Sequence, residues 1–238
     1  MSHLGYQNVD VEMLATLVSR GRRDLSRSIS DVVSLEDVRV GIEKLDPGGQ
    51  PDPNLGEAVS PLTGRVALLT GASGGIGKGI AHALADEGVD LFLTYGRHGD
   101  DAEEVAVYAR GEGRRVVVAS ADLTDPTAPA RLVAQANDEL GGVDILIANA
   151  GTTDIKGWQN IDLESWNTTL AINLTAPFLL TQQVLPTMVE KRFGRVLFIS
   201  SIAGLNGGVV GAHYAASKAG LHGLMHIWRH GWRPTASP

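Results

Sequence analysis

From residue 65 onward, short apolar runs alternate with longer segments in which apolar residues recur at helical spacing. The short runs show no apolar–polar alternation, which is typical of parallel strands buried on both faces. The pattern predicts strands over residues 65–70, 89–95, 115–119, 143–148 and 194–200. It predicts helices over residues 75–87, 101–110, 126–140 and 163–191. We therefore expect an α/β fold, a doubly wound, Rossmann-like parallel sheet with right-handed crossovers.

Residues 1–60 lack the strand–helix alternation of the rest of the chain and predict a small helical N-terminal extension. Apolar residues at helical spacing indicate a first helix, at Val11, Leu14, Leu17 and Val18. Ser34 is a candidate N-cap for a second helix, which a Pro/Gly-rich segment at 46–54 ends. We therefore divide the chain into an extension with its linker, residues 1–60, and a main domain, residues 61–238.

Composition and charge exclude several classes of protein. Of the 238 residues, 43% are apolar and 20% are charged, which favours a folded globular protein over a disordered one. The net charge of −7 offers no field for nucleic-acid backbones, so we expect no nucleic-acid partner. The absence of cysteine excludes disulfides and thiolate metal sites. With no signal peptide or membrane span recognised, we expect a cytoplasmic protein without a membrane partner.

A glycine-rich turn directly follows the first predicted strand, at Thr70-Gly71-Ala72-Ser73-Gly74-Gly75-Ile76-Gly77. Glycines can close an ordinary turn, but here they sit between a strand and a helix, where a helix N-terminus binds phosphate. Gly71 would permit the tight turn, Gly75 would let the backbone approach a pyrophosphate, and Gly77 would allow close helix–strand packing. We expect contacts to a dinucleotide cofactor from Gly71, Ser73, Gly75, Ile76 and Gly77.

Tyr214 and Lys218 form a candidate acid–base pair. They are four residues apart in the small-residue segment 212–221, so on a helix their side chains share one face. A free phenol has a pKa of about 10 and is a weak base at neutral pH. A neighbouring ammonium favours the phenolate and lowers that pKa. Taken alone, this spacing also occurs in ordinary surface pairs.

Several motifs occur together and in order, namely Thr70–Gly77, Asn149-Ala150-Gly151, Asn173, Ser201 and Tyr214-x-x-x-Lys218. On this combination, the region from about Pro61 to His226 resembles the short-chain dehydrogenase/reductase family. It is similar in particular to 3-oxoacyl-acyl-carrier-protein reductases. The resemblance implies an oxidoreductase that transfers a hydride between a nicotinamide cofactor and a carbonyl or alcohol, with a small molecule or an acyl thioester as substrate.

The resemblance also implies a role for each residue of the candidate site. Tyr214 would exchange a proton with the substrate oxygen, and Lys218 would hold the nicotinamide ribose. Ser201 would hydrogen-bond the reacting oxygen, and Asn173 would anchor a water in the proton relay. From the residues alone, Ser201 could simply end a strand, and Asn173 could be a buried, satisfied amide.

Cofactor choice depends on the end of the second strand. An acidic residue there favours NAD, whereas a nearby arginine accommodates the 2′-phosphate of NADP. The chain has no acid at that strand end; Arg97 follows it, and Asp100 and Asp101 fit the start of the next helix. We therefore favour NADP(H) over NAD(H). By resemblance, the cofactor would also contact Asp122, Leu123, Asn149, Ala150, Gly151, Tyr214 and Lys218.

The chain departs from the family after Lys218. Family members continue with a longer helix, two more strands and a substrate lid, whereas the last dozen residues here look unlike the family. We therefore expect a C-terminally incomplete domain that lacks the last strands, with weak or absent turnover and a tendency to aggregate. The alternative is a catalytically inactive truncated fragment that at most binds nucleotide. Whether the chain forms a homo-oligomer is left open. The long helix 163–191 is present, but its companion helix after Tyr214 is shortened.

Two further segments carry weaker patterns. His222, His226 and His230 lie at helical spacing, but no carboxylate is near and glycines interrupt the segment, so we predict no metal site. The N-terminal run from Leu17 to Leu45 resembles the C-terminal end of medium-chain, zinc-type alcohol dehydrogenases, without that family's metal ligands or cofactor site.

Overall fold

The computed structural model describes residues 62–231, so the predictions for residues 1–60 lie outside the described residues. The strands are β1 Val66–Thr70, β2 Asp90–Tyr95, β3 Val116–Ser120, β4 Ile145–Ala148 and β5 Arg195–Phe198. The helices are α1 Gly75–Asp86, α2 Gly99–Gly111, α3 Ala128–Leu140, α4 Leu163–Leu170, α5 Ala176–Glu190, α6 Ala203–Asn206 and α7 Ala212–Gly231. A π-helical segment, Ala171–Thr175, joins α4 to α5, and a 3₁₀ turn, Trp158–Asn160, precedes α4.

Within residues 62–231, the five strands form one sheet in the order β3-β2-β1-β4-β5. All four pairings are parallel. The chain moves outward from β1 to β3, then returns to the other side of β1 to form β4 and β5. This arrangement confirms the predicted doubly wound, Rossmann-like fold.

Both faces of the central strands are buried, which explains their unbroken apolar character. In β1, Ala67 and Leu69 belong to the core cluster under α1 and α2. Val66 and Leu68 belong to the cluster on the opposite face, under α3 and α5. Because neighbouring side chains point to opposite faces, a strand between two helical layers needs apolar residues at every position.

The observed elements differ from the predicted ones mainly at their ends and in two helices. The predicted helix 163–191 is interrupted by the π-helical segment, which holds Asn173. The helix after Tyr214 is not shortened, because α7 runs for 20 residues to Gly231. Its far end is packed: the ring of Trp228 lies 5.9 Å from those of Phe178 and Phe198.

Two kinds of feature are absent from the described residues. No helix between residues 62 and 231 is long and apolar enough to cross a membrane. In the same part of the chain, no group of three or more His, Cys, Asp or Glu side chains is arranged to hold a metal ion. The side chain of His230 lies outside what the structure describes.

Candidate active site

The candidate site lies where the strand order reverses, between β1 and β4. In doubly wound sheets, ligands bind in the crevice outside the carboxyl ends of the strands at this switch point. The glycine turn leaves the end of β1, and residues 149–151 leave the end of β4. The two segments therefore face the same crevice.

The glycine turn is closed by contacts that only glycine permits. Gly71 has a φ of +70°, and a Cβ there would lie 2.9 Å from the Cα of Ala150. At Gly77, a Cβ would lie 2.2 Å from the carbonyl oxygen of Gly71, so α1 lies directly against the turn. At Gly75, by contrast, no atom of the described residues comes within 4 Å of a Cβ position. The open backbone at the start of α1 fits the pyrophosphate of a dinucleotide. Half-buried Ser73 and Ile76 flank this opening.

Thr70 and Asn149 fasten the loop after β4 to the glycine turn. The Thr70 hydroxyl oxygen accepts hydrogen bonds from the backbone nitrogens of Asn149 at 3.1 Å and Ala150 at 3.0 Å. The Asn149 side-chain nitrogen donates to the carbonyl oxygens of Thr70 at 2.9 Å and Gly71 at 3.1 Å. These four bonds hold the two walls of the crevice, the glycine turn and the loop after β4, in a fixed relative position.

Arg97 is exposed just past the end of β2. Its carbonyl oxygen accepts a hydrogen bond of 3.2 Å from the Ser73 hydroxyl, which ties this loop to the glycine turn. Asp101, near the start of α2, forms an ion pair of 2.8 Å with Lys78. The hydrogen bond and charge of Lys78 lower the pKa of Asp101. The nearby acid is therefore paired with a lysine of α1, while the guanidinium of Arg97 faces solvent.

Asp122 and Leu123 follow β3, two strands away from β1. Asp122 Oδ1 accepts hydrogen bonds from the hydroxyl of Thr124 at 2.7 Å and its backbone nitrogen at 2.9 Å. These bonds lower the pKa of Asp122. Leu123 is half-buried and packs against the core cluster that contains Val66 and Leu68. Asp122 is thus bound within its own turn, and Leu123 packs against the core.

Asn173 is buried in the π-helical segment and bonds to two neighbouring elements. Its side-chain oxygen accepts from the backbone nitrogen of Thr152 at 2.8 Å, and its nitrogen donates to the Thr152 carbonyl oxygen at 2.9 Å. The same nitrogen donates to the Ser217 hydroxyl at 3.1 Å. A π-bulge widens one turn of a helix and is frequent at functional sites. Here it places Asn173 between the loop after β4 and α7.

Lys218 is buried on α7 and points toward the loops after β4 and β5. Its ammonium donates a hydrogen bond of 2.8 Å to the carbonyl oxygen of Ile199. The Nζ atom lies 5.8 Å from the ring centroid of half-buried Tyr214. A Cβ on Gly151 would lie 3.4 Å from both Lys218 Nζ and Asn173 Oδ1, so these atoms converge beside Gly151. Burial lowers the pKa of Lys218 to about 8.

Ser201 lies in the turn between β5 and α6. Its hydroxyl oxygen accepts a hydrogen bond of 3.2 Å from the backbone nitrogen of Ala203, at the start of α6. Ser201 is half-buried. It follows Ile199, the acceptor for Lys218, by two residues, so one turn connects the candidate serine to the candidate lysine.

Several residues that support this site were not assigned a role in it from the sequence. They are Thr70, Thr152, Ser200, Ser217 and His222, and each forms a side-chain or backbone bond to a candidate residue or its neighbour. Ser217 lies inside the Tyr-x-x-x-Lys motif, and that position was an available signal. Thr152 contributes only backbone atoms to Asn173, so its side chain gives no signal.

The parallel sheet, its switch-point crevice and its glycine turn define a dinucleotide-binding α/β domain. The chain belongs to the short-chain dehydrogenase family, because the family profile described as short chain dehydrogenase matches residues 65–236. The family is a class of oxidoreductases that bind NAD(P). The match continues past His226, so the expected end of the resemblance there is wrong. The expected N-terminal resemblance to zinc-type alcohol dehydrogenases finds no support.

The chain is similar to proteins with different names. It is 40% identical over 163 residues to nodulation protein G of Rhizobium sp. (strain N33), covering 68% of this chain and 65% of that protein. It is 34% identical over 166 residues to a 3-oxoacyl-[acyl-carrier-protein] reductase of Synechocystis sp. (strain ATCC 27184 / PCC 6803 / Kazusa), covering 70% and 67%. A solved metagenomic short-chain oxidoreductase in complex with NADP has a TM-score of 0.66 and 36% identity, covering 70% and 76%. The chain thus spans just under two thirds of the length of the nodulation protein.

Proposed function

We propose that this chain catalyses hydride transfer between NADP(H) and a carbonyl/alcohol pair, with a 3-oxoacyl thioester as the carbonyl substrate. The observation that carries the proposal is the convergence of Lys218 Nζ and Asn173 Oδ1 beside Gly151, with the Tyr214 ring 5.8 Å from that amine. This group lies at the carboxyl edge of the sheet, on the same side as the glycine turn. Its parts come from the loop after β4, the π-helical segment and α7.

The glycine turn and the loop after β2 would hold the cofactor. The free backbone nitrogens at the start of α1, around Gly75, suit the pyrophosphate. Arg97 is exposed beside this turn and has the planar donor fork that suits a 2′-phosphate. The solved relative in complex with NADP supports the same choice. When bound, the nicotinamide cofactor supplies or accepts the hydride.

The residues of the chain itself would manage the proton. In the reductive direction, the phenol of Tyr214 donates its proton to the carbonyl oxygen of the substrate, and in the oxidative direction the phenolate takes it back. A positive charge on Lys218 stabilises the phenolate, and a hydrogen bond from Ser201 stabilises the reacting oxygen. Asn173 bonds to Thr152 in the loop after β4 and to Ser217 on α7. It would therefore hold this loop and the helix that carries Tyr214 in a fixed relative position.

The substrate class rests mainly on similarity. The Synechocystis relative is named as a 3-oxoacyl-[acyl-carrier-protein] reductase, and the chain resembles that group in its motifs. The segments that follow β4 and β5 carry exposed apolar side chains, at Ile155, Trp158, Ile202, Leu205 and Val209. Exposed apolar side chains in these segments are suited to a substrate with a hydrocarbon chain.

The proposal is tested by titrating the protein with NADPH while following nicotinamide fluorescence, then adding acetoacetyl-coenzyme A and following loss of the reduced cofactor. We expect saturable binding and weak but measurable turnover. Tyr214→Phe should bind NADPH normally and lose turnover by about 100-fold or more, because a general acid contributes at least that much. Tyr108→Phe is the matched control, since Tyr108 bonds to Asp86 on the outer surface of α1 and α2.

Each result has a distinct meaning. NADPH binding without turnover by any 3-oxoacyl thioester favours the inactive, nucleotide-binding fragment. Turnover that survives Tyr214→Phe overturns the assignment of the proton donor. Turnover with NADH but not NADPH overturns the assignment of the cofactor and leaves the reaction class in place.

A further inference from the structure

The end of β5 is joined to α7 by two hydrogen bonds that run in opposite directions. The ammonium of Lys218 donates to the carbonyl oxygen of Ile199 at 2.8 Å. The hydroxyl of Ser200, the next residue, donates to the carbonyl oxygen of Lys218 at 3.1 Å. The side chain and the backbone of Lys218 are therefore both fixed to the two residues that precede Ser201.

His222 makes a third contact, to the same serine. Its Nε2 atom lies 3.0 Å from the Ser200 hydroxyl oxygen. A serine hydroxyl has a single proton, and a carbonyl oxygen can only accept. Because that proton goes to Lys218, the Nε2 atom of His222 must donate to Ser200. His222 is then neutral with the proton on Nε2, or doubly protonated, and in both forms it donates through this atom.

α6 packs on the other side of the α7 turn that contains Lys218, here called the Lys218 turn. A Cβ on Gly204 would lie 2.9 Å from the carbonyl carbon of Lys218 and the nitrogen of Ala219, so α6 lies against the backbone of α7. The Lys218 turn is therefore held from the side of Gly204 by packing and from the side of Ser200 by directed bonds. Packing limits how close α6 can come to this turn, and the bond from the Ser200 hydroxyl gives the Lys218 carbonyl a directed partner at the end of β5.

We propose that His222 is a positioning residue, which locks the Ser200 hydroxyl onto the Lys218 carbonyl and thereby fixes Lys218 relative to Ser201. This inference rests on the proposed function for its catalytic consequence. His222 touches neither the substrate nor the cofactor in this account. It acts through Ser200, and loss of its donor leaves that hydroxyl free to turn to another rotamer.

The first test does not depend on activity. In protein labelled with ¹⁵N-histidine, the ring nitrogens report the tautomer, and His222 should carry its proton on Nε2 at neutral pH. Ser200→Ala should shift the Nε2 signal of His222 toward that of an imidazole in water and raise the share of the Nδ1-protonated tautomer, whereas His226→Leu, one turn further along α7, should leave both unchanged. A His222 ring protonated on Nδ1 alone, or ring-nitrogen signals unaffected by Ser200→Ala, overturns the proposal.

The second test follows Lys218 itself. The pKa of Lys218, lowered to about 8 by burial, can be measured from the ¹³Cε signal of the lysine. His222→Leu should raise this pKa toward its ordinary value, because a looser turn admits water to the amine. His222→Gln keeps a side-chain donor and should restore the wild-type value. An unchanged pKa in His222→Leu, with the fold intact, overturns the proposal whether or not the protein turns over substrate.

Where the wild type turns over substrate, the kinetic signature adds a third measurement. His222→Leu should lower kcat about tenfold and leave KM for the thioester within about twofold, since misplacement of a catalytic group costs rate more than binding. His222→Gln should recover most of the loss. If the wild type shows no turnover while the tautomer and Lys218 measurements hold, the proposed function fails and the positioning role stands.

Discussion

The side-chain nitrogen of Asn173 donates a hydrogen bond to the hydroxyl of Ser217 at 3.1 Å, and that hydroxyl donates to the carbonyl oxygen of Tyr214 at 2.7 Å. The π-helical segment is therefore connected to the turn of α7 that carries the candidate acid. Asn173 also makes two bonds to Thr152. One buried amide thus joins three elements of the site.

Replacing Asn173 by alanine should destabilise the fold as well as the site. The change leaves buried partners of Asn173 without their hydrogen bonds, so we expect a loss of about 2–3 kcal/mol in the free energy of unfolding. Urea denaturation measures it. Asn137→Ala, at an exposed position on α3, is the matched control and should change stability by less than about 0.5 kcal/mol. Equal effects of the two variants would contradict the role of the buried amide.

Lys218→Met should make the protein more stable at neutral pH while removing turnover. The pKa of Lys218 is lowered from 10.5 to about 8 by burial, so below pH 8 the folded protein carries the full cost of a buried ammonium. We expect a gain of about 1–3 kcal/mol in the free energy of unfolding at pH 7, reduced by loss of the bond to Ile199.

The gain in stability should depend on pH. Between pH 8 and 10.5 the unfolded chain binds more protons than the folded one at this group, so wild-type stability rises with pH through this window. The advantage of Lys218→Met should therefore shrink as pH rises. Urea denaturation over this range measures it, and an advantage that stays constant with pH would refute burial as the cause.

Adding a methyl group should affect the stability of the fold at Gly77 but not at Gly75. Gly77→Ala places a Cβ 2.2 Å from the carbonyl oxygen of Gly71, and we expect a loss of at least about 3 kcal/mol in the free energy of unfolding. Gly75→Ala meets no described atom within 4 Å, so it should fold normally. It should nevertheless weaken NADPH binding if the pyrophosphate rests on this backbone. Fluorescence titration decides, and unchanged affinity in Gly75→Ala would move the phosphate site elsewhere.

Arg97→Ala should change cofactor preference rather than general affinity. The exposed guanidinium is the candidate partner of a 2′-phosphate, so we expect the Kd for NADPH to rise about tenfold and the Kd for NADH to change little. Arg131→Ala, on α3 and paired with Asp125, controls for the loss of one surface charge. A parallel loss of affinity for both cofactors would show that Arg97 does not discriminate between them.

Gly204 and Gly223 provide a test of packing around Lys218. Gly204→Ala forces a Cβ against the α7 backbone at 2.9 Å, so we expect a loss of about 1–3 kcal/mol and a lower turnover rate. Gly223, further along α7, has no described atom within 4 Å of its Cβ position. Gly223→Ala should raise stability by about 0.5–1 kcal/mol, because alanine favours a helix. Thermal unfolding separates these outcomes.

The sequence predicted the sheet well because burial on both faces leaves a direct mark on it. Residues 65–70 read as an unbroken apolar strand, and β1 spans Val66–Thr70. The glycine turn could be predicted equally well from the sequence, since the steric demands at Gly71 and Gly77 allow no other residue type without strain. Both features depend on short stretches of chain.

Features that depend on distant partners were not predictable in this way. The π-helical turn at Asn173 is accompanied by bonds to Thr152 and Ser217, which are 21 and 44 residues away. The helix after Tyr214 was expected to be shortened, because the last dozen residues look unlike the family. In the structure α7 runs to Gly231, and Trp228 packs against Phe178 and Phe198, two residues distant in sequence.

The pairing of β1 with β4 has a consequence for how the molecule is made. Val66 and Asp144, at the bases of these neighbouring strands, are 78 residues apart in sequence, so the middle of the sheet closes only after a long loop has been brought together. A nascent chain that has left the ribosome only as far as β3 already contains the glycine turn, but not the strand that forms the opposite wall. If this crevice holds nucleotide as proposed, nucleotide can stabilise the folding chain only late in synthesis, once β4 has emerged.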